Sequence, residues 1–565
     1  MNLNIKAKQE NTYDAIVVGS GISGGWAAKE LCEKGLKTLM LERGRNIQHI
    51  KDYTTAMKNP WEFPLRGKLT TKEKENSPVQ QRTYAFTEQT KHLFVNDKEN
   101  PYTEEQRFDW IRGYHVGGRS LMWGRQSYRW SEMDFAANAQ DGIAVDWPIR
   151  YKDLAPWYDY VESFVGISGQ AEGLSQLPDG KFLPPMEMNC LEKHVAQKIR
   201  ENYTDRIMTI GRTANLTQPH NGRGQCMYRN RCIRGCPYGA YFSTQSSTLP
   251  AAQKTGNLTL RPHSIVNEII YDAEKKRAVG VRIIDAESSE VMEYYAKIIF
   301  LNASTLGTTS ILLNSQSEYF PNGFGNSSGQ VGQNLMDHHF MLGAAGEYDG
   351  FSDQYYKGRR PNGIYIPRFR NIEEQRTDYI RGFGYQGGAS RTGWGSGNQG
   401  TEFGAEFKDS LTQPGPWRMG LIGFGECLPY EENKVTLNKN VVDKWGQPTL
   451  SINCSFKENE MTMRKDIKES AAEMLETAGI KNVQTYDYGA SPGLGIHEMG
   501  TARMGKDPKT SVLNAFNQMH DVPNVFITDG SCMTSSACQN PSLTYMALTA
   551  RACDYAVKEL KKRNL

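Results

Sequence analysis

The stretch Asp14-Ala-Ile-Val-Val-Gly19-Ser-Gly21-Ile-Ser-Gly24 decides how this chain folds. The apolar run after Asp14 reads as a short strand buried on both faces, as in a parallel sheet. Glycines follow it without a spacer, and the amphipathic residues from Gly25 to Lys34 predict a helix stopped by Gly35. Lys37-Thr-Leu-Met-Leu predicts a second strand that ends at Glu42. Strand, glycine turn, helix, strand and acidic residue within about thirty residues make a dinucleotide-binding unit. Gly19 makes the tight turn, Gly21 lets backbone approach a pyrophosphate, and Gly24 lets helix and strand pack closely. The phosphates are expected at the helix N-terminus, where unpaired N–H groups and the macrodipole favour negative charge. Glu42 is expected to accept hydrogen bonds from the adenosine ribose. The motif alone does not separate FAD from NAD.

The 565 residues allow two to four domains at roughly 100–200 residues each. Hydrophobic residues make up 38% and charged residues 23%, which excludes disordered and fibrous classes. Lys+Arg 66 against Asp+Glu 63 leaves a charge of +3 and no electrostatic reason to expect nucleic acid or an anionic membrane as main partner. Mean hydropathy is −0.61, and no stretch approaches the ~20 apolar residues of a membrane span. The opening residues, MNLNIKAKQENTYDAIVVG, contain no apolar signal core. The expectation is a soluble subunit with no export signal of its own. Glycine, at 54 against 24 prolines, suits close approach of backbone to a cofactor. Ten cysteines exclude a disulfide scaffold, but Cys226, Cys232 and Cys236 cluster while the rest are scattered.

Four further segments carry a family resemblance. They are Gly117-Gly-Arg-Ser-Leu-Met-Trp-Gly124 after Trp110-Ile-Arg-Gly-Tyr-His-Val; Val331-Gly-Gln-Asn-Leu-Met-Asp-His338; Ile496-His-Glu-Met-Gly-Thr-Ala-Arg-Met-Gly505; and Val525-Phe-Ile-Thr-Asp-Gly530, which leads to Asn540-Pro-Ser-Leu-Thr. In this order, from residue 14 to about 560, the chain resembles the glucose–methanol–choline (GMC) oxidoreductases end to end. The resemblance implies an α/β fold, with a Rossmann-like FAD-binding domain and a discontinuous α+β substrate domain built on an antiparallel sheet. It implies that Gly117, Gly118 and Ser120 lie along flavin and pyrophosphate, and that Asp529 and Gly530 contact ribityl and phosphate. The strand Arg261-Pro-His-Ser-Ile-Val266 would meet the adenine through its backbone. Some pyranose-oxidising relatives join a His after the Gly-Gly-x-Ser loop covalently to flavin. Met122 stands there in this chain, so FAD is expected to be held non-covalently. Asp337, His338 and His339 read as a structural turn of the flavin domain rather than a metal site.

Oxidation of an alcohol by flavin moves a hydride from the carbinol carbon to N5 and gives the hydroxyl proton to a base. A neutral histidine suits the second role, because its unperturbed pKa is ~6.5. His497 stands at the position of the family's catalytic His, and a buried loop histidine is the plain alternative. Asn540 matches the second active-site position, which is His or Asn in the family. Before Pro541 it also reads as a helix N-cap.

Cys226-Met-Tyr-Arg-Asn-Arg-Cys232-Ile-Arg-Gly-Cys236-Pro237 places three thiols in a compact loop suited to a soft metal or iron–sulfur cluster. Other readings are a Cys3His zinc site with His220, a disulfide with one free thiol, or no metal. The spacing resembles the cluster loop in flavoprotein subunits of bacterial glucose and fructose dehydrogenases, a branch of the same family, where three Cys hold a [3Fe–4S] centre. That resemblance implies a dehydrogenase that delivers electrons to a cytochrome or quinone. It also implies a small signal-bearing partner subunit, a c-type cytochrome partner, and export to the periplasm alongside the partner; a cytoplasmic enzyme is equally compatible with the residues.

The flavin motifs occur near both termini and mid-chain, so the FAD-binding domain is expected at 10–150, 211–344 and 491–565, with its cysteine loop at 226–236. The substrate domain is expected at 151–210 and 345–490. The glycine-rich block at 382–400 reads as a loop, either solvated or closing over the site with Tyr385 or Trp394 stacked on a sugar. The expected substrate is a sugar or glycoside hydroxyl, with glucoside C3 first, then C1 of aldoses and C2 of gluconate. An oxygen-using oxidase and an electron-transfer flavoprotein with a vestigial alcohol site are the alternatives.

Overall fold

In the computed structural model, which describes residues 11–355, 360–393, 403–412, 414–489 and 491–565, the run after Asp14 lies in strand β1 (Thr12–Val18). Its residues are apolar without alternation because both faces of the sheet are covered. Ile16 and Val18 enter one core cluster, while Ala15 and Val17 enter another on the opposite face. Strand β2 (Thr38–Leu41) and strands β3 (Leu258–Arg261), β4 (Ser264–Asp272), β5 (Arg277–Asp285) and β6 (Val291–Leu301) complete most of this sheet. β1 is flanked in parallel by β2 and β6, and β3 lies parallel beyond β2. The strand Val525–Ile527 adds to β6 in parallel, whereas β5 and β4 continue antiparallel. Helix α1 (Ile22–Glu33) and the C-terminal helix Ser542–Lys561 cover one face, with Ala27, Leu31, Ala552 and Ala556 packed beside Ala15 and Val17. This is the Rossmann-like half of an α/β fold, and its strands come from both ends and the middle of the chain.

The second sheet is antiparallel throughout. Strands β7 (Leu342–Tyr348), β8 (Ile364–Ile366), β9 (Phe383–Arg391), β10 (Trp417–Gly425) and β11 (Lys481–Asp487) take the order β11-β7-β10-β9-β8, with Thr209–Ile210 on the far edge. Helix Glu458–Thr477 packs on it through Met463, Ile467, Ala471 and Met474 against Leu342, Met419 and Leu421.

The glycine-rich block is a strand over most of its described part, which corrects the loop expectation. β9 runs through it, and Tyr385 is fully buried with its hydroxyl donating to the Ile467 carbonyl at 2.6 Å. Tyr385 is therefore a core residue rather than a sugar platform; Trp394 lies outside the described residues. The glycines serve close packing of backbones. A Cβ on Gly387 would lie 2.1 Å from the Gly420 carbonyl oxygen on β10. Gly387→Ala is expected to lower stability by about 1–3 kcal/mol through that overlap, read as a lower unfolding midpoint in calorimetry.

Candidate active site

The first glycine turn is shaped by contacts no side chain tolerates. A Cβ on Gly19, at φ +93°, would lie 2.2 Å from the Asn302 carbonyl oxygen, and one on Gly24 would lie 2.0 Å from that of Gly19. Gly21 has no atom within 4 Å of its Cβ position, so open backbone faces outward at the start of α1. The 117–120 loop docks onto this turn. The Gly117 N–H donates to Ser20 Oγ at 2.9 Å. Ser120 Oγ donates to the Gly117 carbonyl at 2.6 Å and accepts from the Thr244 N–H at 3.1 Å. Thr244 Oγ1 in turn donates to the Gly21 carbonyl at 3.0 Å. Gly118 lies on this loop at φ 47°. Ser20 and Thr244 join the site without any sequence signal of their own.

Glu42 is buried at the end of β2. Its carboxylate accepts from the Ser20 N–H at 3.1 Å, the Ser20 hydroxyl at 2.5 Å and the Gly44 N–H at 2.9 Å. It thus ties the glycine turn to β2. The Ser264 N–H donates to the Glu42 carbonyl at 2.8 Å, so β4 begins beside it, with Val266 buried two residues on. Asp529 accepts from the Ser531 N–H at 3.0 Å and from the hydroxyls of Ser531 and Thr308 at 2.5 Å each. The Gly530 carbonyl receives the Gly500 N–H at 3.0 Å, which joins this turn to the segment carrying His497.

His497 and Asn540 come together from separate segments, with Asn540 Nδ2 3.4 Å from His497 Nε2. Asn540 does not cap the helix that follows. That helix begins at Ser542 behind Pro541 with no side-chain cap, and Asn540 Oδ1 instead accepts from Gln386 Nε2 at 2.6 Å. The backbone around His497 is clamped by Asp337. One of its oxygens accepts the Gly493 and Gly495 N–H groups at 2.7 and 2.9 Å, and the other accepts the His497 N–H at 2.9 Å. Burial and the neighbouring Glu498 push Asp337 up to about 7, against the pull of those three donors. Glu498 itself forms a two-pronged pair with Arg119 at 3.0 and 2.8 Å, linking the His497 segment to the 117–120 loop.

His338 was expected in a structural turn, and here the structure differs. Its Nδ1 lies 2.8 Å from His497 Nδ1, which makes it part of the site. Its neighbour His339 is turned away, with Nε2 on the Glu426 carbonyl at 3.0 Å. Burial holds His497 well below its ordinary 6.5, with His338 and Arg119 adding to the shift, and burial lowers His338 to about 4. Both rings are neutral near pH 7.

Cys226, Cys232 and Cys236 line one small cavity together with Arg229, Arg231 and Tyr241, and their thiols are unbridged. Burial pushes Cys226 up to about 11 and also raises Cys236. Arg229, Arg231 and Arg234 donate to the carbonyls of Ala56, Met57 and Lys58 at 2.6, 3.1 and 3.0 Å, fastening the loop to that segment. The Tyr241 hydroxyl donates to the Leu121 carbonyl at 2.8 Å, so the cavity backs onto the 117–124 loop. His220 is not among the residues lining the cavity, and its Nε2 meets the Ser163 carbonyl at 2.8 Å. Among the described residues, no three His, Cys, Asp or Glu side chains surround a single ion position.

The GMC oxidoreductase family matches residues 13–340 and 429–549, together most of the chain. This chain belongs to that family. It is 30% identical to the 2-methyl-1,2-propanediol dehydrogenase of Mycolicibacterium austroafricanum, over 96% of this chain and 94% of that one. It is 24% identical to the fructose dehydrogenase large subunit of Gluconobacter japonicus, over 97% and 98%. Its fold matches a solved structure of Aspergillus oryzae formate oxidase with a TM-score of 0.60 at 14% identity, covering 98% of this chain and 99% of that one.

As a GMC oxidoreductase, the protein is an FAD-dependent enzyme acting on a CH–OH substrate. The residues present fit that cofactor. The open turn at Gly21 faces outward, and two buried donors nearby, Asn302 Nδ2 beside Gly24 and the Tyr545 hydroxyl beside Gly530, have no hydrogen-bond partner among the described residues. Met122 packs with Ile47, Leu93 and Leu121 in an apolar cluster. Asp337→Ala is expected to strand three backbone N–H groups, at about 1–3 kcal/mol each if they stay buried. Hydrogen-exchange mass spectrometry is then expected to show faster exchange of peptides spanning 493–497, with the β1 peptides unchanged.

Proposed function

We propose that this GMC oxidoreductase is a dehydrogenase of sugar or glycoside hydroxyls, with glucoside C3 the first choice of substrate position. The observation that carries the reading is the convergence of the neutral His497 ring and the Asn540 amide, within 3.4 Å of each other. FAD, when bound, supplies the acceptor for a hydride. Asn540 donates an N–H to the substrate oxygen and His497 Nε2 takes the hydroxyl proton. The carbinol carbon gives up its hydrogen with the electron pair, leaving a carbonyl product and an imidazolium. Gly19, Gly21, Gly24, Glu42, Gly117, Gly118, Ser120, Val266, Asp529 and Gly530 are the residues we assign to holding the cofactor, non-covalently.

Cys226, Cys232 and Cys236 are assigned to an iron–sulfur cluster, with [3Fe–4S] matching three ligands. Two features support this: the shared cavity, and its position behind the loop assigned to the flavin. A cluster, when bound, supplies a one-electron carrier suited to a cytochrome-type acceptor. The relative described as a large subunit supports a multi-subunit assembly; we assign to that assembly a small signal-bearing subunit and a c-type cytochrome, exported together. Among the described residues no helix is long and apolar enough to cross a membrane. The second reading is an oxygen-using oxidase whose cysteines hold nothing.

Visible spectra under argon test both halves. Flavin bands on a broad iron–sulfur background, bleached by methyl glucoside, are the expected result. A clean flavin spectrum with no iron in the protein would defeat the cluster, and an intact cluster with unbleached flavin would defeat the glucoside. His497→Ala is expected to slow flavin reduction by roughly 100-fold or more; reduction at the parent rate would remove the base assignment. Because only the neutral ring accepts a proton and His497 is held below 6.5, the acid limb of kcat/KM is expected to fall below pH 6.5, with activity rising through it as pH increases.

A further inference from the structure

The chain Ala537–His338–His497–Asn540–Gln386 has a direction, and one backbone carbonyl sets it. His338 Nε2 meets the Ala537 carbonyl, which only accepts, so Nε2 carries the proton. The ring is buried and neutral, which leaves Nδ1 bare. His338 Nδ1 faces His497 Nδ1 at 2.8 Å, and a bare nitrogen there needs a donor. His497 must then carry its proton on Nδ1, and its Nε2 is the free acceptor beside Asn540. From the far end, Gln386 on β9 donates to Asn540 Oδ1 at 2.6 Å. That contact aims the Asn540 NH2 at His497 instead of its oxygen. The opposite tautomer would present an N–H to the substrate hydroxyl and could not take its proton.

We propose that His338 is a positioning residue that holds His497 in the Nδ1–H tautomer, and that Gln386 does the corresponding work for the Asn540 amide. The proposal rests on the reading of His497 as the base, and it extends that reading by naming what fixes the base's proton. The charged groups around the pair are Arg119, paired with Glu498, and the Asp337 carboxyl on the backbone side. None of them touches His338 Nδ1 or His497 Nδ1, so the two rings decide the tautomer between themselves.

The test uses the full-length enzyme labelled with 15N-histidine, with the His497 signal identified by its loss in His497→Ala. Long-range 1H–15N spectra at neutral pH are expected to show His497 protonated at Nδ1. In His338→Phe, which keeps the ring packing and removes the acceptor, the signal is expected to move towards the Nε2–H form. Flavin reduction should fall roughly 10- to 100-fold there with little change in substrate affinity. His338→Asn returns an amide oxygen close to the Nδ1 position and is expected to restore both the tautomer and most of the rate. A wild-type His497 protonated at Nε2 would overturn the proposal, even if neither His338 variant folds. An unchanged tautomer in His338→Phe would overturn it too, as would equal losses in His338→Phe and His338→Asn. Parent-rate reduction by His497→Ala defeats the base reading instead, while the wild-type spectrum still decides the tautomer.

Discussion

The site depends on one carboxylate. Asp337 gathers the N–H groups of Gly493, Gly495 and His497, and so holds a glycine-rich segment with no regular structure of its own in a single path. Unpaired buried N–H groups are costly, which makes this path stable only with the acceptor in place. Three neighbouring segments are registered against that path. Glu498 reaches Arg119 in the loop beside the first glycine turn, the Gly500 N–H bonds the Gly530 carbonyl, and the His497 ring faces His338, the residue after Asp337. The carboxylate and the histidine that faces His497 are therefore set by one turn of chain.

The two halves of the fold contribute different things. The parallel sheet holds glycine turns at the ends of its strands, where open backbone and a helix N-terminus suit negatively charged groups. The antiparallel sheet contributes little polar chemistry from its interior, which is packed with aromatic and aliphatic side chains. Gln386 is the exception, and it reaches across to the Asn540 amide. A strand position is a rigid mount for such a contact, since β9 is paired on both sides by β8 and β10. The cysteine loop stands apart from both. It is pinned by arginines to the 56–58 segment and by Tyr241 to the 117–124 loop. Its three sulfurs therefore face one cavity without being drawn together by a bond.

Much of the architecture was legible in order along the chain. The first turn was readable because strand, glycines, helix and Glu42 are local, and their spacing has one geometric solution. His497 and Asn540 were readable as candidates from their motifs. The described part of the glycine-rich block differs from its loop reading because glycine reads as a turn in sequence, whereas here it lets β8, β9 and β10 approach closely. His338 was in view but assigned to a turn, because two adjacent histidines and an aspartate carry no sign of which ring points where. One of them faces His497 and the other bonds the Glu426 carbonyl.

By itself the sequence determined the fold class and offered a glycine turn and a short list of chemistry-bearing residues as candidates. These follow from periodicity, glycine spacing and residue type, which are properties of neighbouring residues. Only the tertiary structure decided how those residues act on one another. It turned Asn540 away from its helix, placed Gln386 behind it, and set His338 against His497 with a backbone carbonyl fixing the direction of the chain. The physical reason is that a hydrogen bond depends on distance and on which atom holds the proton. Residues 43 and 159 positions apart acquire both only when the chain is folded.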